Sequence, residues 1–72
     1  MTKYQLQTWD TMKLSWKNLH QPSYRYNPVR DEWEALVNQA TFQGNRPQMH
    51  VAYRIISTDT LAVYDIWDSQ KN

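Results

Sequence analysis

The stretch Lys3-Tyr4-Gln5-Leu6-Gln7-Thr8-Trp9-Asp10-Thr11-Met12-Lys13-Leu14-Ser15-Trp16-Lys17 decides the fold, because it fits two periodicities. As a helix, Trp9, Met12, Trp16 and Leu19 recur at spacings of three and four. As strands, Tyr4, Leu6 and Thr8, then Met12, Leu14 and Trp16, make one face. Lys3, Gln5, Gln7, Lys13, Ser15 and Lys17 make a polar one. The helix leaves Leu14 off its stripe. The strands leave out only Trp9 and Asp10, where a hairpin has to turn. A loop at Trp9-Asp10-Thr11 sets Leu6 opposite Leu14 and Tyr4 opposite Trp16, apolar against apolar. That loop holds no glycine, which hairpin loops of this length favour. A β-hairpin accounts for more of the residues and is the expected structure, with a helix as the alternative.

Working outward, His20-Gln21-Pro22-Ser23-Tyr24-Arg25-Tyr26-Asn27-Pro28 reads as an irregular connection. Pro22 and Pro28 restrict the backbone on either side of the Tyr-Arg-Tyr triplet. Asn27 is expected to cap a helix whose first position is Pro28, with Asp31, Glu32 and Glu34 near the positive end of its dipole. Val29, Trp33, Leu36, Val37 and Ala40 fall on one stripe of that helix. It is expected to run to about Gln43 and stop at Gly44-Asn45, before Pro47. Met49–Ser57 and Leu61–Asp68 are rich in β-branched and aromatic residues and form a second expected hairpin. A turn at Thr58-Asp59 pairs Ile55 with Ala62, Tyr53 with Tyr64 and Val51 with Ile66 on a core face. The other face then carries His50, Arg54, Ile56, Leu61, Val63, Asp65 and Trp67, with Arg54 diagonal to Asp65 as an ion pair.

The expected order is therefore ββαββ. An α+β fold follows: one domain over residues 1–72, a four-stranded antiparallel sheet with one α-helix packed on one face. No internal repeat or low-complexity tract divides the chain.

Composition limits what such a chain can do. A protein of 72 residues buries only ~60–65% of its unfolded surface, so its core is thin. Four Trp, five Tyr and one Phe partly offset this, each large ring burying ~150–250 Å². The absence of cysteine excludes disulfides, thiolate nucleophiles and Cys-based zinc sites, and a single glycine excludes Gly-rich phosphate loops. Mean hydropathy is −0.89, yet the aromatic content and a net charge of +1 argue for a folded chain. That charge is uneven. Residues 1–30 set Lys3, Lys13, Lys17, Arg25 and Arg30 against Asp10, whereas the remainder is acidic. No apolar run approaches the ~18 residues of a membrane span, and Met1-Thr2-Lys3-Tyr4-Gln5 lacks a signal-peptide core. A soluble, cytoplasmic protein with no membrane contact is the expectation.

Catalytic chemistry has little to draw on. His20 and His50 lie far apart with no ligand spacing around them, so neither a metal site nor a cofactor is expected. Asp31, Glu32 and Glu34 are explained as helix-start charges, Asp59 as a turn residue, and Asp65 and Asp68 as lying on opposite strand faces. No serine stands in a nucleophile context. The chain is thus not expected to be an enzyme. The leading expectation is a binding module that contacts another protein or itself, possible homodimer included, through Arg54, Ile56, Leu61, Val63 and Trp67. Regulators (of mobile elements among others), inhibitors and adaptors are often this compact. The alternative is single-stranded nucleic-acid binding through Lys13, Lys17, Tyr24, Arg25, Tyr26 and Arg30, where cations and stacking rings interleave.

Overall fold

A computed structural model describes residues 2–42 and 50–70 of the chain. Strand β1 (Tyr4–Asp10), strand β2 (Ser15–Ser23), helix α1 (Tyr26–Phe42), strand β3 (Ala52–Ser57) and strand β4 (Val63–Asp68) follow in that order. The strands make one antiparallel sheet, β2-β1-β3-β4, so the α+β, ββαββ architecture expected from the sequence is the one observed. Residues 3–17 form a hairpin, the structure expected of them, and not the helix.

One layer of apolar contacts holds helix to sheet. Leu6, Val29 and Ile55 form the buried centre, ringed by Tyr4, Leu19, Tyr26, Trp33 and Leu36. Val29, Trp33 and Leu36 come from the predicted helix stripe, and the Trp33 indole N–H donates to the Tyr53 carbonyl at 3.0 Å. Ile55 is 0% exposed. The opposite sheet face carries no described helix or strand.

Register is where sequence and structure part. In the first hairpin the loop is Thr11–Leu14, and Leu6 faces Leu19, not Leu14, while Trp9 faces Trp16. Asp10 causes the change: its carboxylate accepts the amides of Met12 (2.9 Å) and Lys13 (3.2 Å), which starts the turn one residue after it. Leu14 closes the loop at φ 52°. Met12 is left 90% exposed, and Trp16 moves to the helix-free face. Strand β2 continues through Pro22, which an outer edge tolerates. A bulge lies between its pairings with Tyr4 and Leu6, and His20 within it adopts φ 61°. The Gln5 amide holds that bulge by donating to the carbonyls of Leu19 (2.9 Å) and His20 (3.2 Å).

The second hairpin shifts by an odd number of residues. Tyr53 faces Trp67, Arg54 faces Ile66, Ile55 faces Asp65 and Ile56 faces Val63. The predicted partners Tyr64, Ile66 and Ala62 are therefore not opposite Tyr53, Val51 and Ile55. The loop is longer than a Thr58-Asp59 turn because the Ser57 hydroxyl accepts the amides of Asp59 (3.2 Å) and Thr60 (3.3 Å). Leu61, at φ 62°, then donates its amide to the Ser57 carbonyl at 2.9 Å. Tyr64 is the extra residue of a bulge, which brings its ring to the helix side, 5.3 Å from that of Tyr4. An odd shift exchanges faces. Trp67 stacks on Tyr53 on the helix side (6.3 Å between ring centroids), and Ile66 emerges on the other. The expected Arg54–Asp65 pair does not form, since the two lie on opposite faces.

The helix begins at Tyr26, one residue before the expected Asn27 cap, after the Ser23 hydroxyl accepts the Arg25 amide at 3.1 Å. Pro28 thus sits within the first turn, where helix N–H groups have no intrahelical partner. That turn holds no acidic residue. Glu34 pairs instead with Arg30 (2.8 Å), and Glu32 lies 3.4 Å from the His20 ring nitrogen. The expected stop at Gly44-Asn45 and Pro47, and the strand start at Met49, lie outside the described residues. Among the described residues, no helix is long and apolar enough to cross a membrane.

Candidate functional site

Strand alternation puts Gln5, Gln7 and Trp9 of β1, Trp16 and Asn18 of β2, Arg54 and Ile56 of β3, and Val63, Ile66 and Asp68 of β4 on the helix-free face. A chain of contacts crosses it. The Arg54 guanidinium lies over the Trp16 ring, 4.1 Å from its centroid, and its Nε donates to the Gln7 side-chain oxygen at 2.8 Å. Gln7 in turn donates to the Asn18 side-chain oxygen at 2.8 Å. Trp16 meets Trp9 edge to face at 5.4 Å, and the His50 ring lies 5.5 Å from Trp9. His50 Nε2 is 2.8 Å from the Asp68 carboxylate. Burial lowers the pKa of Arg54, which nevertheless stays charged at neutral pH.

Toward the edge strand β4 this face becomes apolar. Val63 is 46% and Ile66 52% exposed, beside Ile56 and Arg54 respectively. Leu61, in the adjoining loop, is 68% exposed. Of the residues singled out for protein contact, the structure thus brings Arg54 and Val63 together on this face, with Leu61 at its border. Ile56 shares the face but is buried. Trp67 belongs to the helix side. Trp9, Trp16 and Ile66 are the members that sequence reasoning missed. The signal that could have found the two tryptophans is Asp10 as the initiator of a four-residue loop, which makes Trp9 and Trp16 partners.

The residues singled out for nucleic-acid contact are dispersed. Lys13 lies in the first turn, and Lys17 pairs with Thr8 on the helix-bearing side. Tyr24 is exposed beneath Lys3, whose ammonium is 4.9 Å from its ring centroid. Arg25 borders an open depression of about 430 Å³ with Asn27, Pro28 and Asp31. Tyr26 and Arg30 are drawn into the fold: the Tyr26 hydroxyl hydrogen-bonds Asp65, and Arg30 lies 3.5 Å from Asp65 and over the Trp33 ring. That hydrogen bond, followed by burial, raises the Tyr26 pKa above the usual tyrosine value.

Among the described residues, no three His, Cys, Asp or Glu side chains gather where they could hold a metal ion. Comparison with protein-family models, with curated proteins and with solved structures finds no match to this chain.

Proposed function

We propose that the chain is a small, non-enzymatic module that acts by protein–protein contact through the helix-free face and the β4 border. The supporting observation is the exposure of Val63 and Ile66 on the edge strand β4, with Ile66 directly across from Arg54. Apolar side chains clustered on a small surface tend to mark contact sites, and Arg and Trp are the residue types that anchor them. Leu61 widens the patch, and Trp16 and Trp9 continue the face beyond Arg54. A free-edge strand offers backbone groups to the same partner.

The test is tagged capture from the source organism's lysate with the wild-type chain and a Val63→Asp/Ile66→Asp variant, circular dichroism confirming that both fold. The variant is expected to lose the proteins that the wild type retains. An unchanged retained set would overturn the assignment. Sedimentation of the purified chain at high micromolar concentration shows whether the contact is with a second copy. Single-stranded nucleic-acid binding has less support, since Tyr26 and Arg30 are engaged within the fold. Tight, steeply salt-dependent retention of a labelled oligonucleotide would reverse that ranking.

A further inference from the structure

We infer that Arg54 is the recognition point for a carboxylate on a partner protein, presented between apolar side chains of an acidic, apolar segment. This rests on the proposed role of the helix-free face and specifies the chemistry of what it binds.

Charge is the first argument. The groups that hold Arg54 are neutral, the Trp16 ring and the Gln7 amide. Asp65, the nearest strand neighbour expected to pair with it, lies on the opposite face with Arg30 and Tyr26. Asp68 shares the face of Arg54 but holds His50. Among the described residues, no carboxylate lies within ion-pair distance of Arg54. A half-buried cation without a counter-charge favours an incoming anion.

Geometry is the second. The Gln7 bond takes Nε, and the Trp16 ring covers one face of the guanidinium, so its plane is set before anything binds. The terminal nitrogens keep their N–H groups in the fork that matches a carboxylate with two parallel hydrogen bonds. A donor already oriented loses less rotational freedom on binding.

The flanks select the rest of the ligand. Ile66 lies directly across from Arg54 on β4, Val63 is further along that strand, and Trp16 is on the other side. Apolar neighbours of the carboxylate would therefore rest on apolar protein. Flanks of this kind suit a single carboxylate set between apolar side chains better than a run of phosphates.

The test selects a random linear peptide library, displayed on phage, on the full chain. The enriched peptides are then measured against wild type, Arg54→Gln, Arg54→Lys and the Val63→Asp/Ile66→Asp variant. Enriched peptides should carry Asp or Glu between apolar residues. Arg54→Gln should weaken them about ten- to hundredfold, and Arg54→Lys should recover only part of that. Changing the peptide's acid to its amide should weaken wild type alike and leave Arg54→Gln nearly unchanged. Enrichment without an acidic residue, affinity insensitive to Arg54→Gln, no enrichment, or Arg54-dependent retention of oligothymidylate alone would each overturn the inference. If peptides still depend on Val63 and Ile66 while ignoring Arg54, the contact face stands and only the carboxylate is refuted. If they depend on neither, both fail.

Discussion

Replacing Tyr26 with Phe removes one oxygen atom from the junction where the start of the helix meets the last strand. That hydroxyl donates to Asp65, and Arg30 lies 3.5 Å from the same carboxylate. A hydrogen bond to a charged group is worth about 1.5–3 kcal/mol. Here Tyr26 is only partly buried and Arg30 stays behind to hold Asp65, so we expect the low end, about 1.5 kcal/mol. In a chain this small, that lowers Tm by about 5–10 °C. The pH dependence follows from the raised Tyr26 pKa, caused first by the Asp65 bond and then by burial. The unfolded phenol ionises near its usual pH of about 10, whereas the folded one resists. The stabilisation is therefore complete below that pH and declines as pH rises through it toward the folded value. Thermal melts of wild type and Tyr26→Phe should differ at neutral pH and converge under strongly alkaline conditions. An Asp65→Ala background should remove most of the difference at every pH. Equal melting temperatures at neutral pH, or a gap that persists unchanged into alkali, would refute the assigned bond.

Two further outcomes follow from packing and backbone geometry. Ile55→Ala empties a fully buried site and should cost about 2–5 kcal/mol, much of the ~4–11 kcal/mol expected for a chain this size. Ile55→Val keeps most of the contacts and should cost about 0.5–1.5 kcal/mol by urea titration, and parity of the two variants would contradict the core. Leu14→Gly frees a left-handed residue, φ 52°, from its side-chain penalty and should raise stability by about 0.5–1 kcal/mol. A lower urea midpoint would show that Leu14 makes contacts worth more than the strain.

Element order was legible because alternation and helical spacing are properties of short segments. The core was legible for the same reason: Leu6, Ile55, Val29, Trp33 and Leu36 all stand on the stripes that the pattern marks. Register was not, because it is set by loop geometry. Of the left-handed non-glycine residues among those described, Leu14 and Leu61 are of a type that seldom announces that conformation, and His20 announces it only weakly. The turns are instead nucleated by the side chains of Asp10 and Ser57, whose bonds to following amides lengthen both loops. Each odd shift then carried a tryptophan across the sheet, Trp16 to the helix-free side and Trp67 away from it. The candidate face was therefore half readable. Arg54 and Val63 sit where strand alternation placed them, while Trp9, Trp16 and Ile66 depend on loops set by the Asp10 and Ser57 side chains, which alternation alone does not read.

The sheet order also dictates when this protein can fold. β1 is central, yet one neighbour is made immediately after it and the other only after the helix. During synthesis the first hairpin can close early and Leu6 can meet Leu19 and then Val29, but the buried centre is incomplete until Ile55 emerges. A chain cut after the helix keeps a paired hairpin and an amphipathic helix without the strand that joins them. Such a fragment is expected to expose its apolar stripe and to be a substrate for chaperones or proteases. Pairing across so long an interval is also slow to nucleate. The time between emergence of Val29 and of Ile55 is thus the interval in which the nascent chain is most exposed to aggregation.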